Sequence, residues 1–118
     1  MPPPSPLVIA TGAVNRLLKE EASYHKELLA QEADAKAQEE KIQSGQDDED
    51  GNAAYILKQQ QMVVEQTRAV FKPLRDRINQ AVEKLEDLVA SEEKTGNASG
   101  EELANAKAAL DKAKAGDV

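Results

Sequence analysis

The sequence predicts an all-α protein: an antiparallel three-helix bundle of two long helices, the second kinked at Pro73, and a shorter third. Three observations predict it. Apolar residues recur at heptad spacing in two long segments, Leu7 to Ile42 and Leu57 to Leu88. Ala, Leu, Glu, Lys and Gln dominate the composition, and these residues lose little entropy in a helix, whereas aromatics make up 3%. Helix start and stop signals stand at the ends of the periodic segments. A chain of 118 residues fits one domain. Such a domain buries only about two-thirds of its unfolded surface, so its core has to be thin and continuous. The expected organisation is a disordered Pro-rich start over 1–5, then a single bundle domain over 6–115. Within it, helices are expected at about 6–43, 53–94 and 99–115, with an acidic loop at 44–52.

The opening Met-Pro-Pro-Pro-Ser-Pro cannot be helical, because proline fixes φ and lacks a donor N–H. It is a good approach to a helix, however. Ser5 suits the N-cap and Pro6 the first helical position, where the missing N–H goes unused. From there Leu7, Val14, Glu21, Leu28, Ala35 and Ile42 form one heptad column, and Ala10, Leu17, Tyr24, Gln31 and Gln38 the other. They share one face for about 37 residues, roughly 55 Å of helix. Ser44 to Asn52 then brings two glycines and four acids with no apolar residue, a solvated connection.

The second periodic segment carries the stronger stripe. Leu57, Val64, Phe71, Ile78 and Leu85 fill one column; Gln60, Thr67, Leu74, Ala81 and Leu88 fill the other. Ile56, Val63 and Val70 widen it on one side, and Val82 and Val89 widen it on the other. A stripe this broad suits a helix that touches two neighbours. Pro73 lies off the stripe and the pattern resumes in phase at Leu74, which predicts one bent helix rather than two. Lys94, Gly96 and Asn97 supply a stop signal. Ser99-Gly100-Glu101-Glu102 is a capping-box pattern, and Leu103, Ala106, Leu110 and Ala113 mark the third helix. Its alanines allow close approach to the other two, and Gly116 to Val118 are expected to fray.

Chemistry is scarce. The formal net charge is −7, and no Lys/Arg cluster stands unopposed, so neither nucleic acid nor an anionic membrane is an expected partner. There is no cysteine, hence no disulfide or thiolate metal site, which suits a reducing cytoplasm. No apolar run near the start reaches the length of a signal h-region. His25 is the single histidine and has no second ligand type arranged around it. No phosphate-binding or nucleophile motif occurs. The expectation is therefore a binding protein, not an enzyme, with no cofactor and no metal.

Polar residues inside the stripes are more informative. Glu21, Gln31, Gln38, Gln60 and Thr67 occupy positions that a stable core would fill with Leu or Ile. Either they fix register and limit oligomerisation, or parts of the stripes stay wet and meet a partner. The first-helix stripe is the weaker, so a borrowed partner surface is expected to involve the first helix.

The segment Thr11-Gly12-Ala13-Val14-Asn15-Arg16-Leu17-Leu18-Lys19-Glu20-Glu21, with Tyr24, Lys26-Glu27 and Gln31-Glu32, resembles the tubulin-binding cofactor A family. Leu57-Lys58-Gln59-Gln60 is similar to the start of that family's second helix, and Pro73 to its mid-helix proline. Ala106, Leu110 and Asp111 match the end of its short last helix. The ordered set covers roughly residues 8–115; the proline-rich start, the acidic loop and the linker before the third helix depart from the pattern. The resemblance implies a cytoplasmic, microtubule-cytoskeleton-associated chaperone. Such a protein captures β-tubulin folding intermediates released from the cytosolic chaperonin and passes them, with other tubulin-folding cofactors, toward α/β-tubulin assembly. It implies no nucleotide or metal.

On that reading the candidate contact residues are Arg16, Lys19, Glu20, Lys26, Glu27 and Glu32 of the first helix, supported by Tyr24, with Arg68, Arg75 and Arg77 of the second. A monomer or weak homodimer is expected. The alternative is a self-associating coiled-coil adaptor or scaffold. The wide second-helix stripe and the third-helix capping box count against it, because both favour an intramolecular bundle.

Overall fold

The computed structural model describes residues 3–45 and 51–116. Four α-helices account for nearly all of them, and no strand occurs among the described residues: α1 Pro6–Gln43, α2 Ala53–Arg68, α3 Phe71–Thr95 and α4 Gly100–Ala115. Most of the acidic loop (46–50), the first two residues and the last two, where fraying was expected, lie outside the described residues.

The helix ends follow local chemistry. Ser5 Oγ accepts the Val8 N–H at 3.2 Å, and the Ile9 N–H donates to the Ser5 carbonyl at 3.0 Å, which caps α1 as its sequence requires. At the other end Gly45 takes φ 72°, a left-handed conformation that closes a helix at little cost only without a Cβ. Gly96 does the same after α3 with φ 70°, its N–H returning to Glu92 O at 2.8 Å. Ser99 Oγ accepts the Glu102 N–H at 3.1 Å and so caps α4. The Glu102 carboxylate instead accepts Ser5 Oγ–H at 3.1 Å, tying the start of α4 to the start of α1.

The expected second helix, 53–94, is two helices. Ala69 and Val70 separate α2 from α3. The Ala69 N–H still reaches Glu65 O at 3.0 Å, but the Val70 N–H bonds three residues back, to Thr67 O at 3.1 Å. The physical reason lies four residues downstream. Pro73 offers no N–H to the Ala69 carbonyl, and its ring crowds that oxygen. Unbroken apolar phase could not reveal the break, because a two-residue turn of near-helical pitch leaves the stripe in register.

Two compact units divide the chain between Glu21 and Ala22, and between Lys72 and Pro73. The first holds most of the core. Leu7, Val14, Ile78, Leu85 and Ala106 have no exposed surface, joined by Ala10, Leu17, Leu74, Val89, Ala109, Leu110 and Ala113. The three-and-four spacing within α1, α3 and α4 puts these on one side of each helix. The alanines of α4 let its backbone approach closely. Thr11, also buried, satisfies its hydroxyl by donating to Leu7 O at 2.8 Å.

The second unit, the remainder of α1 with α2, is thinner. Among its described residues Val64 and Thr67 are the buried side chains, and Tyr24, Leu28, Ala35, Leu57 and Phe71 are half-buried. Phe71 is held between two rings: Tyr24 meets it edge-on at 6.5 Å, and His25 stacks on it at 4.4 Å.

Candidate functional site

In the first unit Arg16 and Lys19 are exposed and form no ion pair with another described residue. Glu20 lies 3.9 Å from Arg77, a surface contact of little energetic weight. Arg75 is different. It donates from Nη2 to Glu21 Oε1 at 2.7 Å, from Nε to Glu21 Oε2 at 3.2 Å and from Nη1 to the Ala113 carbonyl at 3.3 Å. Arg75 and Glu21 side chains are only 18% and 13% exposed. A planar guanidinium thus joins α1, α3 and α4 through one bidentate pair and one carbonyl. Glu21, a polar interruption of the first stripe, is the carboxylate that completes it.

In the second unit Lys26 is exposed, and Glu27 accepts a hydrogen bond from Gln31 Nε2 at 3.1 Å. Tyr24 lies on the stripe, half-buried against Phe71. Arg68 bridges Glu32 at 2.7 Å and Glu65 at 2.6 Å. Its hydrogen bond to Glu32, and further the charges of Glu65 and Glu32, hold the guanidinium above the ordinary arginine value, against a smaller desolvation effect.

The two sides of this helix pair differ in chemistry. One carries an open cleft of about 400 Å³ lined by Glu32, Lys36, Glu39, Val64, Glu65 and Arg68. The other carries a smaller cleft of about 190 Å³ lined by Gln31, Asp34, Gln59, Gln60 and Val63. The side-chain oxygens of Gln31 and Gln60 are buried there without a hydrogen-bond partner. Gln38, by contrast, donates to the Ala53 carbonyl at 3.0 Å. The polar stripe residues therefore divide: Glu21 and Gln38 cross-link helices, whereas Gln31 and Gln60 leave acceptors unmatched.

Sequence reasoning missed the outer surface of α2. Ile56 and Val63 widened the stripe on paper, yet they are 43% and 42% exposed, beside Tyr55 at 64% and Met62 at 48%. At about 100° per residue, Tyr55, Ile56, Gln59, Met62, Val63 and Gln66 share an arc of about 120° that holds no charge. A helical projection limited to charged residues shows that arc as a gap.

Among the described residues no group of three or more His, Asp or Glu side chains could hold a metal, and no helix is long and apolar enough to cross a membrane. No solved structure matches the chain. Curated relatives do. Tubulin-specific chaperone A of Mus musculus and that of Oryctolagus cuniculus are each 33% identical over 106 residues, covering 90% of this chain and 88% of theirs. The rat protein of the same name matches equally, at 33% over 106 residues. The family model described as tubulin binding cofactor A matches residues 2–110, nearly the whole of the helical segment, and the chain belongs to that family.

Proposed function

We propose that this protein is a tubulin-folding cofactor. It captures and stabilises β-tubulin folding intermediates released from the cytosolic chaperonin and feeds α/β-tubulin heterodimer assembly in the cytoplasm, alongside other tubulin-folding cofactors. The observation that carries the proposal is the family match across residues 2–110. The all-helical architecture agrees with it. On this reading the protein acts without catalysis or a cofactor, as a monomer or weak homodimer, and binds neither nucleic acid nor membrane.

The same proposal takes 6–115 as a single domain, an antiparallel three-helix bundle in which α2 and α3 together form the second, bent arm. Contacts within each unit support that orientation. In the first unit Glu20 and Glu21 meet Arg77 and Arg75, while Arg75 reaches Ala113 and Glu93 pairs with Lys107. In the second Glu32 pairs with Arg68 and Gln38 reaches Ala53, so residue numbers rise on one helix as they fall on its neighbour. Client contacts are assigned to Arg16, Lys19, Glu20, Lys26, Glu27 and Glu32, with Tyr24, Arg68, Arg75 and Arg77. Arg16, Lys19, Lys26 and Glu27 are the members whose charge is not already matched by an opposite charge on a described neighbour.

The test is capture of β-tubulin released from purified chaperonin, followed by native electrophoresis. A complex with this protein, and none with an unrelated coiled coil, is the expected result; equal behaviour of the two sinks the proposal. Lys19→Glu with Lys26→Glu is expected to weaken capture several-fold while leaving the 222 nm ellipticity unchanged. A large fall in helicity would instead mark those lysines as structural.

A further inference from the structure

We infer that the uncharged outer face of α2, with the Gln31/Gln60 cleft at its edge, is where the client docks; this rests on the proposed tubulin-binding function. Four large apolar side chains, Tyr55, Ile56, Met62 and Val63, are 42–64% exposed on that face, and Gln59 and Gln66 complete it. In a chain whose residues are 31% charged and whose net charge is −7, an arc of this width without a charge is not ordinary solvated surface. Charge depletion with aromatic and methionine enrichment is the composition of an interface centre.

The adjoining cleft adds an independent observation. Gln31 Oε1 and Gln60 Oε1 are buried and unmatched acceptors. Turning the Gln31 amide over does not relieve its half of the mismatch, because Nε2 is already committed to Glu27 Oε1 at 3.1 Å. Both oxygens are closed to solvent as they stand, so their relief requires the two side chains to turn outward, toward a partner that brings donors: a cationic side chain or free backbone N–H groups beside apolar surface. A folding intermediate that still lacks its subunit partner presents such a combination.

A second copy of this chain fits poorly. The α2 face itself carries no Lys or Arg to offer the two acceptors. Four partly exposed side chains amount to a few hundred Å², against roughly 800 Å² per partner in a stable complex. Pairing two copies also sets one net charge of −7 against another. A larger client that extends beyond the patch does not meet the limit of area.

The experiment compares the full chain with the variant Ile56→Glu/Val63→Glu for capture of β-tubulin released from purified chaperonin. Ellipticity at 222 nm and sedimentation equilibrium are recorded on both. At least about tenfold weaker capture with unchanged helicity is expected. If the glutamates reduce helicity, Ile56→Gln/Val63→Gln removes the apolar area with good helix formers, and the same loss is expected. Equal capture by wild type and a folded variant overturns the docking face while leaving the tubulin reading intact. Loss of self-association without loss of capture also overturns it, since the occupant is then a second copy. Failure of the wild type itself to capture β-tubulin overturns the proposed function, and the docking face with it.

Discussion

At the level of single residues, Arg75 shows how a partly buried charge pair differs from the exposed pairs around it. Its guanidinium spends three donors on Glu21 and the Ala113 carbonyl, with little access to water. Arg75→Ala strands the Glu21 carboxylate in a half-buried site. It is expected to lower stability by about 2 kcal/mol in urea unfolding, between the small value of a surface pair and the larger one of a fully buried pair. Glu21→Leu/Arg75→Leu, which removes both charges, is expected to recover most of that loss. If single and double variants fall equally, packing rather than charge matters at this site. Arg68 contrasts with it. Its pKa is raised by Glu32, so the stability from that pair is fully present below the ordinary arginine value and is lost only as pH rises through the still higher folded value. No change with pH is therefore expected from Arg68 in the neutral range. Neither role was legible from residue type, because Arg68 and Arg75 look alike on a heptad diagram. Only the fold shows that one faces a carboxylate in a crevice and the other two carboxylates in water.

Among elements, the α2–α3 break has a single covalent cause and a direct test. Pro73→Ala restores the N–H that the Ala69 carbonyl lacks. It is expected to extend the helix through 69–70 and raise stability by about 1–3 kcal/mol, read as a higher thermal midpoint with no loss of ellipticity. An unchanged or lower midpoint would show that tertiary packing holds the turn. Most helix limits were legible in advance because caps are local chemistry: Ser5, Gly45, Gly96 and Ser99 do at the ends what their types favour. The α2–α3 turn was not, since a proline's effect falls on a residue four positions earlier and leaves apolar phase intact. Apolar spacing located most of the core of α3 and α4 for the same reason that caps located the ends, each being a short-range pattern; it left Val89 at the stripe's edge and passed over Ala109. It misplaced Ile56 and Val63, because a stripe records which side chains are apolar and not which of them a neighbouring helix reaches.

For the whole molecule, burial is uneven. Among the described residues, twelve apolar side chains are buried in the first unit, whereas Val64 and Thr67 are the buried ones in the second. Local opening costs least where few apolar contacts resist it. Native-state hydrogen exchange is therefore expected to be slowest at amides of 74–89 and 106–113 and faster by orders of magnitude across 24–40 and 55–66. Uniform protection would show that the two units open together. The neutrality of the α2 face has a consequence of another kind. Added salt screens exposed charges, with a Debye length of about 8 Å at physiological ionic strength, but leaves apolar contact largely untouched. Client affinity carried by Tyr55, Ile56, Met62 and Val63 is thus expected to stay level as salt rises, and to bring a negative heat-capacity change. Contacts through Arg16, Lys19 and Lys26 would instead fade with each addition of salt. The slope of affinity against ionic strength, measured calorimetrically, therefore apportions the grip between a face that holds by excluding water and one that holds by charge.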